Sequence, residues 1–207
     1  MDTRPVGEWL DELASAAPAP GGGAAAALAA AVGASLVCMV CNLTIGKPKY
    51  AASQQRVSAA LARAEEVRRS ALRLADDDAR AFEAVIAAYG MPRSTDAEKE
   101  TRSSAIQKAL AGAAEVPLRT AGLAATTIGL AREILDGSNA NVISDVGVAA
   151  ASARAALESS VVNVEVNLAA LTDAAVRSEI AAELHRYVGA LEEADVLVLE
   201  VRERIAK

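Results

Sequence analysis

Apolar residues recur at helical spacing along almost the whole chain, and the breaks in that spacing divide it into segments. Val6, Trp9, Leu10 and Leu13 predict a short helix over 6–15. Residues 17–20, rich in proline, interrupt it, and an apolar segment follows from about 22 to 45. Gly46 and Pro48 then supply a helix stop, glycine past the end and proline just beyond. A long helix from about 50 to 88 alternates apolar and charged faces until Tyr89-Gly90-Met91-Pro92 turns the chain. Thr95 and Glu98 form a capping box that restarts helix, the hydroxyl and carboxylate satisfying free backbone N–H groups. Pro117 predicts a kink or break, because proline removes a helical hydrogen bond. Asp136-Gly137-Ser138-Asn139 is a loop, followed by a helix from about 142 to 170 and a last one from about 173 to 206. In that last helix Val176, Ile180, Leu184, Val188, Leu191, Val198 and Ile205 form an inward stripe. No repeat or low-complexity linker intervenes. The expected fold is all-α, a single-domain helical bundle over 1–207 with a long central Ala/Gly-rich helix.

Composition sharpens this picture. The 207 residues are 53% hydrophobic but 2% aromatic, so alanine carries much of the apolar content. Such a core depends on close backbone approach, and alanine favours long helices. A formal charge of −6, with no basic stripe and no aromatic-basic interleaving, argues against nucleic acid. Two cysteines cannot build a disulfide framework, and the start of the chain, MDTRPVGEWLDEL, lacks the pattern of a signal peptide. A cytoplasmic protein is expected.

The stretch PAPGGGAAAALAAAVGASLVCMVCNLTIGKPKY, residues 18–50, carries no charge before Lys47. Alanine and glycine supply little transfer free energy and Asn42 interrupts the run, so a buried central helix is expected rather than a membrane span. A phosphate loop is excluded because proline follows Gly46-Lys47, and the dinucleotide fingerprint fails at Ala26. Cys38 and Cys41 share a face of this apolar segment without further ligands nearby in sequence, which reads as core rather than metal. His185, beside Glu183 and Arg186, reads as a surface residue. Gly21, Gly22 and Gly23 leave a helix N-terminus without side chains, suited either to a ligand carboxylate on bare backbone or to tight helix packing.

Polar residues also occur where the pattern wants apolar ones. Asp78 falls on the face of Leu74, Ala75, Phe82, Val85 and Tyr89, whereas Asp77 falls on the solvated face with Arg73 and Arg80. An inward carboxylate has its pKa raised by desolvation, which suits proton transfer, and a salt bridge to another helix is the alternative. Asn141 is positioned to cap the next helix, placing Ser144 and Asp145 in its first turn, where the helix dipole favours a carboxylate. Asn163 and Asn167 lie four apart on an otherwise apolar helix and, like Asn42, need partners if buried. Together these residues suggest a polar pocket between helices.

The order PAPGGG, NLTIGKPKY, DDDARAF, EVPL, SDVGVAA and NVEVNL resembles the cyclodeaminase/cyclohydrolase family over about residues 8–200. The resemblance implies an all-helical subunit that forms a homodimer, with a tetrahydrofolate site near the subunit interface. It implies an enzyme that hydrolyses 5,10-methenyltetrahydrofolate to 10-formyltetrahydrofolate, or a formimidoyltetrahydrofolate cyclodeaminase releasing ammonia. A non-catalytic folate-binding dimer is the rival. Cyclohydrolysis stands ahead because these residues include no formimidoyltransferase domain. Motif by motif, it places Gly21, Gly22, Gly23, Asn42, Lys47 and Tyr50 in the glycine-helix signature, Asp78 in DDDARAF and Ser144 with Asp145 in SDVGVAA. The glycines, Asn42, Lys47, Tyr50 and Ser144, with the amides Asn163 and Asn167, are the expected substrate-binding residues, and Asp78 and Asp145, by their environments, the expected catalytic ones. Arg93 stands where the pattern leads one to expect lysine, with charge kept. No metal or cofactor beyond the folate is expected, and Lys47 with Lys49 suits the glutamate tail.

Overall fold

The structure, a computed structural model, describes residues 4–207. Its helices are α1 (Val6–Leu13), α2 (Gly22–Asn42), α3 (Gln54–Tyr89), α4 (Asp96–Leu135), α5 (Ile143–Ala170), α6 (Ala174–Val188) and α7 (Ala190–Ile205). Short 3-10 segments over Pro48–Ser53, kinked at Tyr50, and over Ala140–Val142 precede α3 and α5. No strand occurs among the described residues.

The uncharged helix α2 is long and apolar enough to cross a membrane by length and composition alone. Here it is the core helix, packed against α3, α4 and α5. Alanines 26, 30 and 34 are buried, and a Cβ on Gly33 would stand 3.0 Å from the carbonyl oxygen of Ala149 on α5. Small residues therefore set the α2–α5 separation. Cys38 and Cys41 are buried in this packing, and burial pushes the Cys41 thiol up to about 12. Both act as small hydrophobes. His185 is exposed on α6.

The Thr95–Glu98 capping box forms in full, with Glu98 N–H donating to Thr95 Oγ1 and Thr95 N–H to Glu98 Oε2. Three expectations need correction. Pro117 does not break its helix, because α4 runs continuously for 40 residues with Pro117 buried inside it. Proline leaves the Ala113 carbonyl without its N–H donor one turn on, and the Asn167 side-chain amide reaches that carbonyl at 3.5 Å. The last helix is two, divided at Gly189, and Ile205 at its end is exposed. Asn141 does not cap α5: Asn139 caps the preceding turn by accepting from Asn141 N–H, and α5 starts from Val142 without a side-chain cap. Ser144 and Asp145 still fall in the first turn of α5.

Candidate active site

At the start of α2 the N-cap is Gly21, which has no side chain to offer. Ala25 N–H reaches back to the Gly21 carbonyl, while the N–H groups of Gly22 and Gly23 have no acceptor among the described residues. The missing cap comes from another helix. Asp78 on α3 accepts a hydrogen bond from Ala24 N–H through Oδ2 at 2.9 Å. Only glycine allows this approach, since a Cβ on Gly23 would sit 2.6 Å from Asp78 Cγ. The bare first turn thus seats a carboxylate of the protein itself.

Asp78 is half-buried, and burial raises its pKa above the ordinary aspartate value while the Ala24 hydrogen bond opposes that shift. Among the described residues no lysine or arginine pairs with it, so the salt-bridge alternative does not hold. Asp77 does pair with a cation, Arg80 on its own helix. The acidic triplet therefore divides as its helical phases predict.

Asp78 lines a cavity of 340 Å³ together with Gly21, Gly22, Gly23, Asn163 and Asn167. Its apolar walls come from α3, α4 and α5, with Phe82 and Val166 among them. Phe82 and Tyr89, expected to face inward, are exposed, Phe82 at the cavity's rim. The two asparagines anchor by their amide nitrogens: Asn163 Nδ2 donates to Ser159 O at 2.8 Å, and Asn167 Nδ2 donates to Asn163 O at 2.8 Å and to Ala113 O. A carbonyl oxygen accepts only, so these contacts fix which end of each amide is nitrogen.

The remaining sequence-predicted residues gather at the other end of α2. Tyr50 takes a hydrogen bond from Ala140 N–H at 3.1 Å and donates to Asn139 Oδ1 at 3.4 Å. Asn139, buried, also donates from its side chain to Leu43 O and from its backbone to Thr44 Oγ1. Tyr50 is therefore a tether holding the loop before α5 against the end of α2. Neither Asn139 nor Thr44 was singled out by sequence; the DGSN loop was the available signal. Around this clasp Asn42, Lys47 and Ser144 are exposed and Asp145 is half-buried. None of the four makes a side-chain hydrogen bond or ion pair among the described residues.

Contacts at both ends make α2 and α5 antiparallel: Gly22 lies by Asn163, and Leu43 by Asn139. Twenty-one residues of helix separate the two groups by about 30 Å. Within one chain Asp78 and Asp145 do not share a site.

Residues 5–186 match the family model for formiminotransferase-cyclodeaminase. The chain is 46% identical over 200 residues to a methenyltetrahydrofolate cyclohydrolase of Methylorubrum extorquens, covering 97% of this chain and 95% of that one. It is 29% identical over 202 residues to the formimidoyltransferase-cyclodeaminase of Gallus gallus, covering 98% of this chain but 37% of that longer protein. A crystal structure of formiminotetrahydrofolate cyclodeaminase from Thermotoga maritima superposes with a TM-score of 0.89 at 28% identity, covering 100% of this chain and 99% of that one. With a family model spanning most of its length and a nearly full-length relative, the chain belongs to the formiminotransferase-cyclodeaminase family.

Proposed function

We propose that this protein hydrolyses 5,10-methenyltetrahydrofolate to 10-formyltetrahydrofolate, with Asp78 moving the protons. The observation that carries this reading is the Asp78 carboxylate, held over the glycine turn inside a cavity and raised in pKa by burial. The nearly full-length similarity to a protein named methenyltetrahydrofolate cyclohydrolase supports the choice of reaction. Water adds to the methenyl carbon as Asp78 takes one of its protons. The C–N5 bond then breaks as Asp78 returns that proton to N5. The hydroxyl proton of the adduct leaves as the formyl C=O forms, so the net products are the 10-formyl compound and one proton. The carbon stays at the formate level throughout, and the reaction calls for general acid–base help without a redox cofactor.

The two ends of α2 motivate a homodimer. The outward faces of α2 and α5 carry Val32, Met39, Val148, Val162 and Val166, all exposed. A two-fold axis near Val32, the middle of α2, would set the Asn42–Lys47 end of one subunit beside the cavity of its partner. Lys47, Lys49 and Asp145 would then complete the site across the interface, the lysines meeting the glutamate tail and Asp145 accepting the proton that leaves the adduct hydroxyl. We place the protein in the cytoplasm, working on a small folate without nucleic acid or membrane, in keeping with two buried cysteines that form no disulfide and a buried α2.

The second reading, cyclodeamination of formimidoyltetrahydrofolate, is favoured by the Thermotoga maritima structure and the Gallus gallus relative. Side-by-side assays decide between them: loss of the methenyl chromophore on hydrolysis against ammonia release from the formimino compound. Hydrolysis with little ammonia is the expected result. Ammonia release as the faster reaction would replace the first reading, and folate binding without turnover of either compound would leave a binding protein.

A further inference from the structure

We infer that Asn167 is a specificity residue, held by Pro117 so that its carbonyl oxygen reads an N–H donor on the edge of the bound heterocycle. This rests on the folate reading of the cavity and assigns which edge of the pterin enters it. Pro117 has no N–H, so the Ala113 carbonyl on the cavity wall loses its helical donor. The Asn167 amide nitrogen supplies a replacement at 3.5 Å and donates its other hydrogen to Asn163 O at 2.8 Å. Both N–H bonds of that amide are thereby used. What Asn167 presents to the cavity is Oδ1, which accepts from no donor among the described residues and is not sealed from solvent. A group that accepts and cannot donate discriminates strongly, because a ligand with an acceptor or a methyl in that place leaves it unpaired.

Reduced pterins offer such donors together on one edge, the 2-amino group and N3–H. Their fused rings suit the apolar walls to either side. Asn163 supplies a second oxygen beside Gly22, its amide nitrogen already tied to Ser159 O. In this arrangement the pterin's 2-amino group meets Asn167 and its N3–H meets Asn163, and Asp78 is left to exchange protons with the one-carbon unit.

The test uses calorimetric binding of 5-formyltetrahydrofolate and of its 2-desamino-2-methyl analogue to the full chain. Wild-type protein should prefer the 2-amino compound by about 10–100-fold. Asn167→Leu should abolish that preference while leaving the Kd of the methyl analogue nearly unchanged. Pro117→Ala gives Ala113 its helical donor back and frees the amide to rotate. It should raise the melting temperature yet reduce the preference, opposite signs that a purely structural proline would not give. Equal binding of both compounds by wild-type protein overturns the assignment without mutagenesis. A preference that survives Asn167→Leu but vanishes in Asp78→Asn also overturns it, giving the donor edge to Asp78. If wild-type protein binds neither compound, the folate reading itself fails and takes this inference with it.

Discussion

Asp78 has two tasks that a single substitution separates. Its Oδ2 caps the first turn of α2, and its raised pKa suits proton transfer. Asparagine can still accept from Ala24 N–H but cannot exchange a proton. Asp78→Asn should therefore lower turnover by about 10²–10⁴-fold with little change in affinity for 5-formyltetrahydrofolate, measured by steady-state kinetics beside calorimetry. Near-normal turnover in the folded variant would remove Asp78 from the mechanism. Stability should follow the same group with a definite sign. Burial makes the folded chain hold this proton more tightly than the unfolded chain does. The contribution is thus fully present below the ordinary value of 3.8 and is lost as pH rises through the raised folded value. Melting temperatures of wild type minus Asp78→Asn should accordingly increase on acidification from neutral pH. A difference that stays flat would mean that Asp78 does not titrate in that range.

Among the elements, the clasp at the far end of α2 is the most exacting. Asn139 joins the Leu43 carbonyl, Thr44 and Tyr50 across a gap of about ninety residues of sequence, and it is buried. Asn139→Ala should cost about 1–3 kcal/mol, since it leaves the Leu43 carbonyl and Asn141 N–H short of a partner. Tyr50→Phe should cost less, about 1 kcal/mol. Urea denaturation of both would rank them, and the reverse order would contradict the bonding described. The clasp also shows what sequence reading reached. Periodicity and caps located nearly every helix, because each is a local signal; the inward phase of Asp78 and the capping box at Thr95 are of that kind. Pro117 misled because its tolerance depends on Asn167, fifty residues away. Asn139 was invisible for the same reason, as its partners lie on another element. The candidate cavity was legible as a set of residue types, Asp78 with Asn163, Asn167 and the glycines, but not its separation from Asp145. That separation follows from an antiparallel arrangement no motif encodes.

For the whole molecule, the two polar ends of α2 become one site if a second subunit brings them together. Complementation tests this directly. Asp78→Asn and Asp145→Asn should each be nearly inactive alone. Refolded together as a mixture, they would form hybrids in which one site pairs an intact Asp78 with an intact Asp145. Activity should recover to about a quarter of wild type under random two-fold pairing. No recovery in a mixture shown to contain hybrids would confine catalysis to one chain. The cavity itself has a kinetic consequence. Its walls come from α2, α3, α4 and α5. The α3–α4 hairpin joins neighbours in sequence, whereas α5 returns to α2 only after the chain between them is in place. Loop-closure entropy makes that long-range docking late in folding. Contacts formed late are absent from the transition state, so Asn163→Ala, which removes the α5 side chain packed against Gly22 of α2, should quicken unfolding and leave the refolding rate almost untouched.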